Sequence, residues 1–322
     1  MSKSENKFLV FGATGAFGGA LAIELLEADK QVFAVSRKEV KSIPNIPSAP
    51  NLRILKGDIL NIDDFSIPCQ YIVFAMNVPY TEWAKVMPKA LDNCIELAKK
   101  WNSTIVFPGN VYSLKPVYNV FLKEDQPLEP ISAKGELRKQ MEIKLQASGV
   151  KTLVIRGNDY FGPTCRNGLV DMIFKNAVEH KSVQCLGKDI IHEFCYLPDL
   201  ARATVGLLDS MEMKGYEVVH FKGYCTLTRN QFATRVIDLA NKLTKSEAKV
   251  GISNLSWFGL KMYGFFNNQV KELVELSYLF DNSLLLDDKK FKQHVPTFLE
   301  TDLDKDIEET LKSYIASATP TK

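Results

Sequence analysis

Short apolar runs alternate with amphipathic stretches through the first half of the chain. Each run has four to six residues and few charges, which is typical of parallel strands that are buried on both faces. Six such strands are predicted at 8–11, 31–36, 52–56, 71–75, 104–107 and 152–156. Apolar residues at helical spacing predict connecting helices at 16–28, 83–101 and 133–147. This order of elements predicts an α/β fold with a doubly wound parallel sheet.

The alternation ends after Gly157, where a turn at Gly162-Pro163 precedes a predicted helix over 169–179. The chain from 231 onward is mainly helical in pattern and ends with a helix near 304–315. We therefore expect a dinucleotide-binding domain and a smaller, mainly helical substrate domain. Their predicted ranges are 1–157 with a return at 190–225 for the first, and 158–189 with 226–322 for the second.

The stretch 257–266 is the most aromatic part of the second domain. Such a stretch could line an apolar substrate pocket or touch a membrane. Aromatic helices in a small domain more often form its core, so we expect these side chains to be buried.

A glycine-rich turn after the first strand carries the clearest functional signal. Glycines at 12, 15 and 18 separate a buried strand from a helix, and this arrangement lets the backbone approach a pyrophosphate closely. The helix N-terminus adds unpaired N–H groups and a positive dipole end, which favour an anion. The pattern predicts dinucleotide binding, with contacts from Gly12, Thr14, Gly15, Ala16, Phe17 and Gly18.

Residues at the ends of the next three strands indicate which dinucleotide is expected and which other residues contact it. A carboxylate after the second strand would bind the ribose hydroxyls of NAD, but Ser36-Arg37-Lys38 stands there. The Arg37 guanidinium suits a 2′-phosphate, so the sequence favours NADP over NAD, unless Arg37 and Lys38 are only a solvated strand end. Further cofactor contacts are expected from Asp58, Ile59, Ala75, Met76 and Asn77.

These motifs stand in the same order as in a known family. The set comprises the glycine turn, Gly57-Asp58-Ile59, Arg156…Tyr160-Phe161-Gly162-Pro163 and the run 192–201. Over most of its length the chain resembles the extended short-chain dehydrogenase/reductase family, of the NAD-dependent epimerase/dehydratase type. The resemblance implies a Rossmann-type domain and an oxidoreductase or epimerase that acts on a carbonyl or alcohol of a small molecule. It also implies a homodimer that pairs helices 83–101 and 133–147.

The family's catalytic pattern is incomplete in this chain. The resemblance implies a Tyr-xxx-Lys pair and a Ser or Thr, of which the lysine position is matched by Lys139. Gly135 stands where the tyrosine is expected, and Pro108 stands at the Ser/Thr position. Both proton-handling groups are therefore missing, so we expect a non-standard active site.

Three alternatives follow. Lys139 could act alone as a general base and hold the cofactor ribose. Tyr112 or Tyr160 could supply a phenol, with Tyr160 also lining the nicotinamide pocket and Asn110 orienting a carbonyl. The third alternative is a catalytically silent NAD(P)-binding sensor or scaffold. The other charged residues of this helix, at 134, 136, 138 and 142, are expected to be solvated or paired at helical spacing.

Bulk properties exclude several other classes. The net charge is +2, with 40 basic and 38 acidic residues and no block of one sign, which argues against nucleic-acid or membrane partners. No apolar run is long enough to span a bilayer, and the polar first residues lack a signal-peptide core, so a cytoplasmic protein is expected. Neither the six cysteines nor the four histidines have metal-ligand spacing, and we expect reduced, mostly buried thiols.

Overall fold

The computed structural model describes residues 6–166, 168 and 170–318. The strands are β1 (Lys7–Phe11), β2 (Gln31–Ser36), β3 (Leu52–Lys56), β4 (Tyr71–Phe74), β5 (Thr104–Gly109), β6 (Phe121–Leu122), β7 (Thr152–Arg156), β8 (Tyr160–Phe161), β9 (Val183–Leu186), β10 (Cys195–Tyr196), β11 (Tyr216–His220), β12 (Ile252–Leu255) and β13 (Leu285–Leu286). The helices are α1 (Ala16–Glu27), α2 (Trp83–Trp101), α3 (Ala133–Ala147), α4 (Asp171–Val178), α5 (Leu197–Ser210), α6 (Arg229–Thr244), α7 (Trp257–Gly264), α8 (Asn268–Val274), α9 (Tyr278–Asp281), α10 (Lys289–His294) and α11 (Leu303–Ala318).

Seven parallel strands form the central sheet, in the order β11-β7-β5-β4-β1-β2-β3. The chain runs outward from β1 to β3 and then returns to the other side of β1 at β4. Because the strand order reverses there, a crevice lies at the carboxyl ends of β1 and β4, where ligands of such sheets bind. The predicted doubly wound Rossmann-type sheet is confirmed.

Alternate side chains of the strands enter two separate cores. Val10 packs on one face of the sheet with helices α1 and α5. Leu9 and Phe11 pack on the other face with α2 and α3. The strands are thus buried on both faces, as their continuous apolar runs predict.

Part of the remaining chain forms a third core beside the sheet, and Leu122, Leu276, Leu279 and Phe280 belong to a fourth. Helices α4, α6 and α11 meet around Phe161, Phe174 and Phe232. The predicted helix over 169–179 is found as α4, and Leu169 lies outside the described residues. All six cysteines are free thiols and five are buried, as expected. None of the described helices has the length and apolarity that a bilayer crossing requires.

The expectation that the stretch 257–266 forms a core is wrong for most of it. Trp257 does pack on Phe280, with ring centroids 5.5 Å apart. Phe258, Phe265 and Phe266, however, are 77%, 80% and 89% exposed. Helix α7 packs chiefly on α8, and no other described element covers its aromatic face.

Candidate functional site

The glycine turn lies in the crevice between β1 and β4. Gly12 has φ +80°, and a Cβ at this position would overlap the carbonyl of Ala75 after β4. The Gly15 N–H donates to the carbonyl of Gly12 at 2.8 Å, which closes the turn. Gly18 packs against the same carbonyl from the first turn of α1. The turn therefore needs a residue without a side chain at Gly12, and it holds the start of α1 against the end of β4.

Helix α1 begins without a side-chain cap. Gly15 is its N-cap residue and has no side chain to accept a hydrogen bond from the first N–H groups. Thr14 is exposed, Ala16 is half-buried and Phe17 points into the core. The predicted anion contacts thus lie together at a helix N-terminus whose N–H groups are open to a ligand.

The end of β2 presents basic side chains at the same edge of the sheet. Arg37 and Lys38 are exposed, and the Ser36 hydroxyl donates to the carbonyl of Lys38 at 2.8 Å. Within the described ranges, no acidic side chain pairs with Arg37. Its guanidinium is therefore available to an anion beside the glycine turn.

The ends of β3 and β4 complete this edge. Asp58 accepts the Leu60 N–H at 2.9 Å through one carboxylate oxygen, and Ile59 is buried below it. The side-chain oxygen of Asn77 accepts the Trp83 indole N–H at 2.8 Å, so this amide also fixes the local loop. Further lining comes from the half-buried Ala75 and Met76.

The two tyrosines proposed as phenol donors are both held by neighbours. The Tyr112 hydroxyl lies 3.2 Å from the Tyr80 hydroxyl, and burial raises the pKa of Tyr112 well above its ordinary value. The Tyr160 hydroxyl donates to the carbonyl of Gly109 at 2.6 Å, and burial raises the pKa of Tyr160 as well. Both phenols are protonated near neutral pH, which makes them poor bases.

Helix α3 holds Lys139 half-buried and buries three other charged side chains. The Lys139 side chain is 29% exposed, and its ammonium lies 3.7 Å from the Glu136 carboxylate. Lys134, Arg138 and Glu142, spaced four residues apart, are all buried. The expectation that these three are solvated or paired at helical spacing is therefore wrong, because their partners lie on other elements. The spacing of four residues places these three side chains on one face of α3, and this was the signal in the sequence. Because charged residues are rarely buried unless they are paired, the spacing alone did not predict their burial.

Each of the three buried residues has its own partner. The Lys134 ammonium binds the carboxylates of Glu272 and Glu275, the latter at 2.6 Å, and lies 5.2 Å from the centre of the Tyr80 ring. Arg138 donates to the carbonyl of Pro108 at the end of β5 and stacks on Phe107. Glu142 forms a fully buried ion pair with Arg156 at the end of β7. Helix α3 is thus tied to the sheet edge by charged contacts on its inner face.

A second buried cluster lies beside Tyr160. Nε2 of His192 is 2.6 Å from Oδ2 of Asp159 and 2.7 Å from Nη2 of Arg229. Burial alone would raise the pKa of Asp159, but His192 and Arg229 lower it below its ordinary value. Asp159 and Arg229 line a cavity of about 30 Å³ together with Phe280. Sequence reasoning missed Asp159 and Arg229 because the three segments are far apart in the chain.

Sequence and structure comparisons place the chain among known proteins. The model of the RmlD substrate binding domain family matches residues 84–253. Among curated proteins, none matches the chain by sequence. Nor do the described ranges contain a group of His, Cys, Asp or Glu side chains that could hold a metal ion.

Several solved structures share the fold. The Bordetella bronchiseptica enzyme WbmH, solved with NAD+, is 20% identical, with a TM-score of 0.74 over 98% of this chain and 100% of that chain. UDP-glucuronic acid 4-epimerase from Bacillus cereus, solved with NAD, is 16% identical, with a TM-score of 0.75 over 97% and 100%. The dTDP-glucose 4,6-dehydratase from Bacillus anthracis, also solved with NAD, is 16% identical, with a TM-score of 0.72 over 96% of each chain.

Proposed function

This chain belongs to the RmlD substrate binding domain family, of the extended short-chain dehydrogenase/reductase type, and from that premise we propose a nicotinamide-dependent oxidoreductase or epimerase. Its substrate is the carbonyl or alcohol of a small molecule. The solved relatives that contain NAD support a nicotinamide dinucleotide as the cofactor. The homodimer through α2 and α3 and the cytoplasmic location stay predictions.

The observation that carries the proposal is the fit of the glycine turn to a pyrophosphate. The backbone of Gly12 lies directly against the end of β4, and α1 begins directly after its N-cap residue Gly15, without a side-chain cap. The diphosphate of a dinucleotide would accept hydrogen bonds from the uncapped backbone N–H groups in the first turn of α1, as at other helix N-termini that follow a glycine turn. The adenine amino group would lie near Asp58.

The preference for NADP rests on Arg37. Its guanidinium is exposed at the end of β2, where a carboxylate would favour NAD. A planar guanidinium can donate two hydrogen bonds to a phosphate, whereas it offers no acceptor to ribose hydroxyls. We therefore propose that the chain binds NADP(H) more tightly than NAD(H).

When bound, the nicotinamide accepts or supplies the hydride. Tyr160, held by the carbonyl of Gly109, forms a wall of the pocket, and Tyr112 packs behind it with Tyr80. Because both phenols stay protonated, neither can take a proton from a substrate alcohol, so another group would serve as the base. We keep Lys139 as this group, since it is the lysine of α3 that no carboxylate holds closer than 3.7 Å, whereas Lys134 and Lys144 each have a carboxylate at 2.6 Å or less.

A catalytically silent cofactor sensor is the second candidate. It is favoured by the engagement of both tyrosine hydroxyls and by the placement of Lys134 between two glutamates. In such a protein, cofactor binding would be retained without turnover.

The test is NADPH oxidation and NADP reduction with a panel of aldehydes, ketones, alcohols and nucleotide sugars. Lys139→Ala is compared with Lys134→Ala and with the surface control Lys144→Ala. For the enzyme, we expect Lys139→Ala to lower kcat at least about 100-fold, as for loss of a general base, while the control is unchanged. Tight NADPH binding without turnover by the unaltered chain would support the sensor. If the unaltered chain binds neither NADPH nor NADH, the enzyme and the sensor proposals are both overturned.

A further inference from the structure

The segment 249–271, here called the aromatic hairpin, comprises β12, α7 and the first four residues of α8. Five of its large apolar side chains are more than half exposed. They are Phe258, Met262, Tyr263, Phe265 and Phe266, with exposed fractions of 77%, 52%, 56%, 80% and 89%. Contiguous exposed apolar surface of this kind marks an interaction site in a folded protein.

The charge of the aromatic hairpin has one sign. The sequence contains no Asp or Glu from Ala248 to Lys271, but it contains Lys249, Lys261 and Lys271. All three lysines are exposed. The nearest following acid, Glu272, is neutralised by the ammonium of Lys134. Exposed aromatic side chains together with these three lysines are complementary to a surface that is apolar inside and anionic outside.

The aromatic hairpin has a fixed base, so its exposure does not result from a frayed loop. The Trp257 indole N–H donates to the Asp281 carboxylate at 3.0 Å. Ser256 caps α7 through the Phe258 N–H at 3.2 Å, and Asn267 caps α8. The aromatic side chains beyond this base are therefore presented on an ordered element.

We infer that the aromatic hairpin is an interfacial membrane-docking element for anionic bilayers. Phe258, Phe265 and Phe266 would enter the boundary between headgroups and acyl chains, and the lysines would remain at the lipid phosphates. A second copy of the chain is a poorer occupant, because a symmetric contact would bring the lysines of one copy against those of the other. This inference departs from the expectation, drawn from the balanced charge of the whole chain, that the protein has no membrane partner.

The test is flotation of the full chain with extruded phosphatidylcholine vesicles, with or without about 30 mol% phosphatidylserine. We expect binding to the anionic vesicles that weakens as salt is raised. The double variant Phe265→Ser with Phe266→Ser should weaken it at least about tenfold, since two buried rings are lost. Leu299→Ser, which removes an apolar side chain that is 79% exposed elsewhere, should bind unchanged.

Three results would overturn this inference. One is the absence of binding to anionic vesicles by the unaltered chain, and a second is binding that the double variant leaves unchanged. The third is self-association in vesicle-free solution that the double variant abolishes, measured by analytical ultracentrifugation, because the surface would then be a contact between copies. NADPH binding is measured in parallel, so that failure of the cofactor proposal is seen separately.

Discussion

The carbonyl oxygen of Tyr112 lies against the Cα of Gly135, in the space that a Cβ at position 135 would occupy. The Pro130 side chain and the Ser132 hydroxyl close the same space. The loop after β5 and the first turn of α3 are therefore in direct backbone contact. Position 135 cannot carry a tyrosine without displacement of this loop, so the observed packing requires a glycine there.

Gly135→Ala should destabilise the protein by about 1–3 kcal/mol, the usual cost of overpacking a buried site. Helix propensity alone would predict the opposite change, a stabilisation by alanine of about 1 kcal/mol. The control is Gly259→Ala in α7, where no atom lies within 4 Å of the added Cβ. Urea unfolding of both variants measures the difference, and a Gly135→Ala variant as stable as the control would contradict the contact.

Glu142→Gln should cost about 3–5 kcal/mol, because it leaves the guanidinium of Arg156 buried and unpaired. Arg156 is 1% exposed, and its remaining side-chain partner, His220 at 3.2 Å, carries no compensating charge. The exposed pair of Lys144 with Asp92, at 2.6 Å, is the matched control, and Lys144→Met should cost less than about 1 kcal/mol. Equal losses of unfolding free energy in the two variants would show that burial of the first pair is unimportant.

Asp306 predicts a pH dependence of stability. Burial raises the pKa of Asp306 to about 8, the nearby Asp199 and Glu309 carboxylates add to this effect, and the Tyr224 hydrogen bond opposes it. The folded chain thus holds this proton more tightly than the unfolded chain. The resulting stabilisation is complete below the unfolded pKa of 3.8 and is lost as the pH rises through about 8.

Asp306→Asn should therefore flatten the fall in unfolding free energy between about pH 5 and pH 9, by at least about 1 kcal/mol. The exposed Asp63→Asn variant serves as the control, because it should leave the slope unchanged. Chemical denaturation across this range gives both slopes. A variant with the wild-type slope would indicate that Asp306 is ionised in the folded protein.

Elements whose signal is local could be predicted from the sequence. The bounds of β2, β3, β7, α2 and α3 match the predictions, because each has a clear apolar period and ends at polar or turn residues. The glycine turn was equally readable, since Gly12 needs a positive φ and close backbone contact that no other residue allows as easily.

Features that depend on distant partners could not be predicted. The burial of Lys134 depends on Glu272 and Glu275, about half of the chain away. The contact of His192 with Asp159 and Arg229 joins three separate segments in the same way. The prediction for the aromatic stretch 257–266 was wrong for the same reason, because its composition does not reveal whether another element covers it.

Arg37→Ala should weaken NADPH binding at least about tenfold and leave NADH binding nearly unchanged, because a charge-assisted contact to the 2′-phosphate would be lost. Lys41→Ala, which alters another exposed cation beyond the end of β2, is the control. Fluorescence titration with each cofactor gives the dissociation constants for NADPH and NADH and therefore their ratio. Equal losses for NADPH and NADH would place Arg37 outside the 2′-phosphate site.

Binding of a nicotinamide dinucleotide by the glycine turn can be tested directly at Gly15. Gly15 is an N-cap residue in extended conformation, with φ −90° and ψ 176°, where Asp and Ser both stabilise helices. Gly15→Asp therefore keeps the helix but places a negative charge where the pyrophosphate would lie, and Gly15→Ser is the matched neutral control.

Calorimetric titration of the unaltered chain and both variants with NADPH and NADH is the decisive measurement. We expect the unaltered chain to bind, and Gly15→Asp to lose at least about 100-fold in affinity through charge repulsion. Gly15→Ser should bind much more tightly than Gly15→Asp, and both should have similar melting temperatures. No binding by the unaltered chain, or wild-type affinity in Gly15→Asp, would contradict the account.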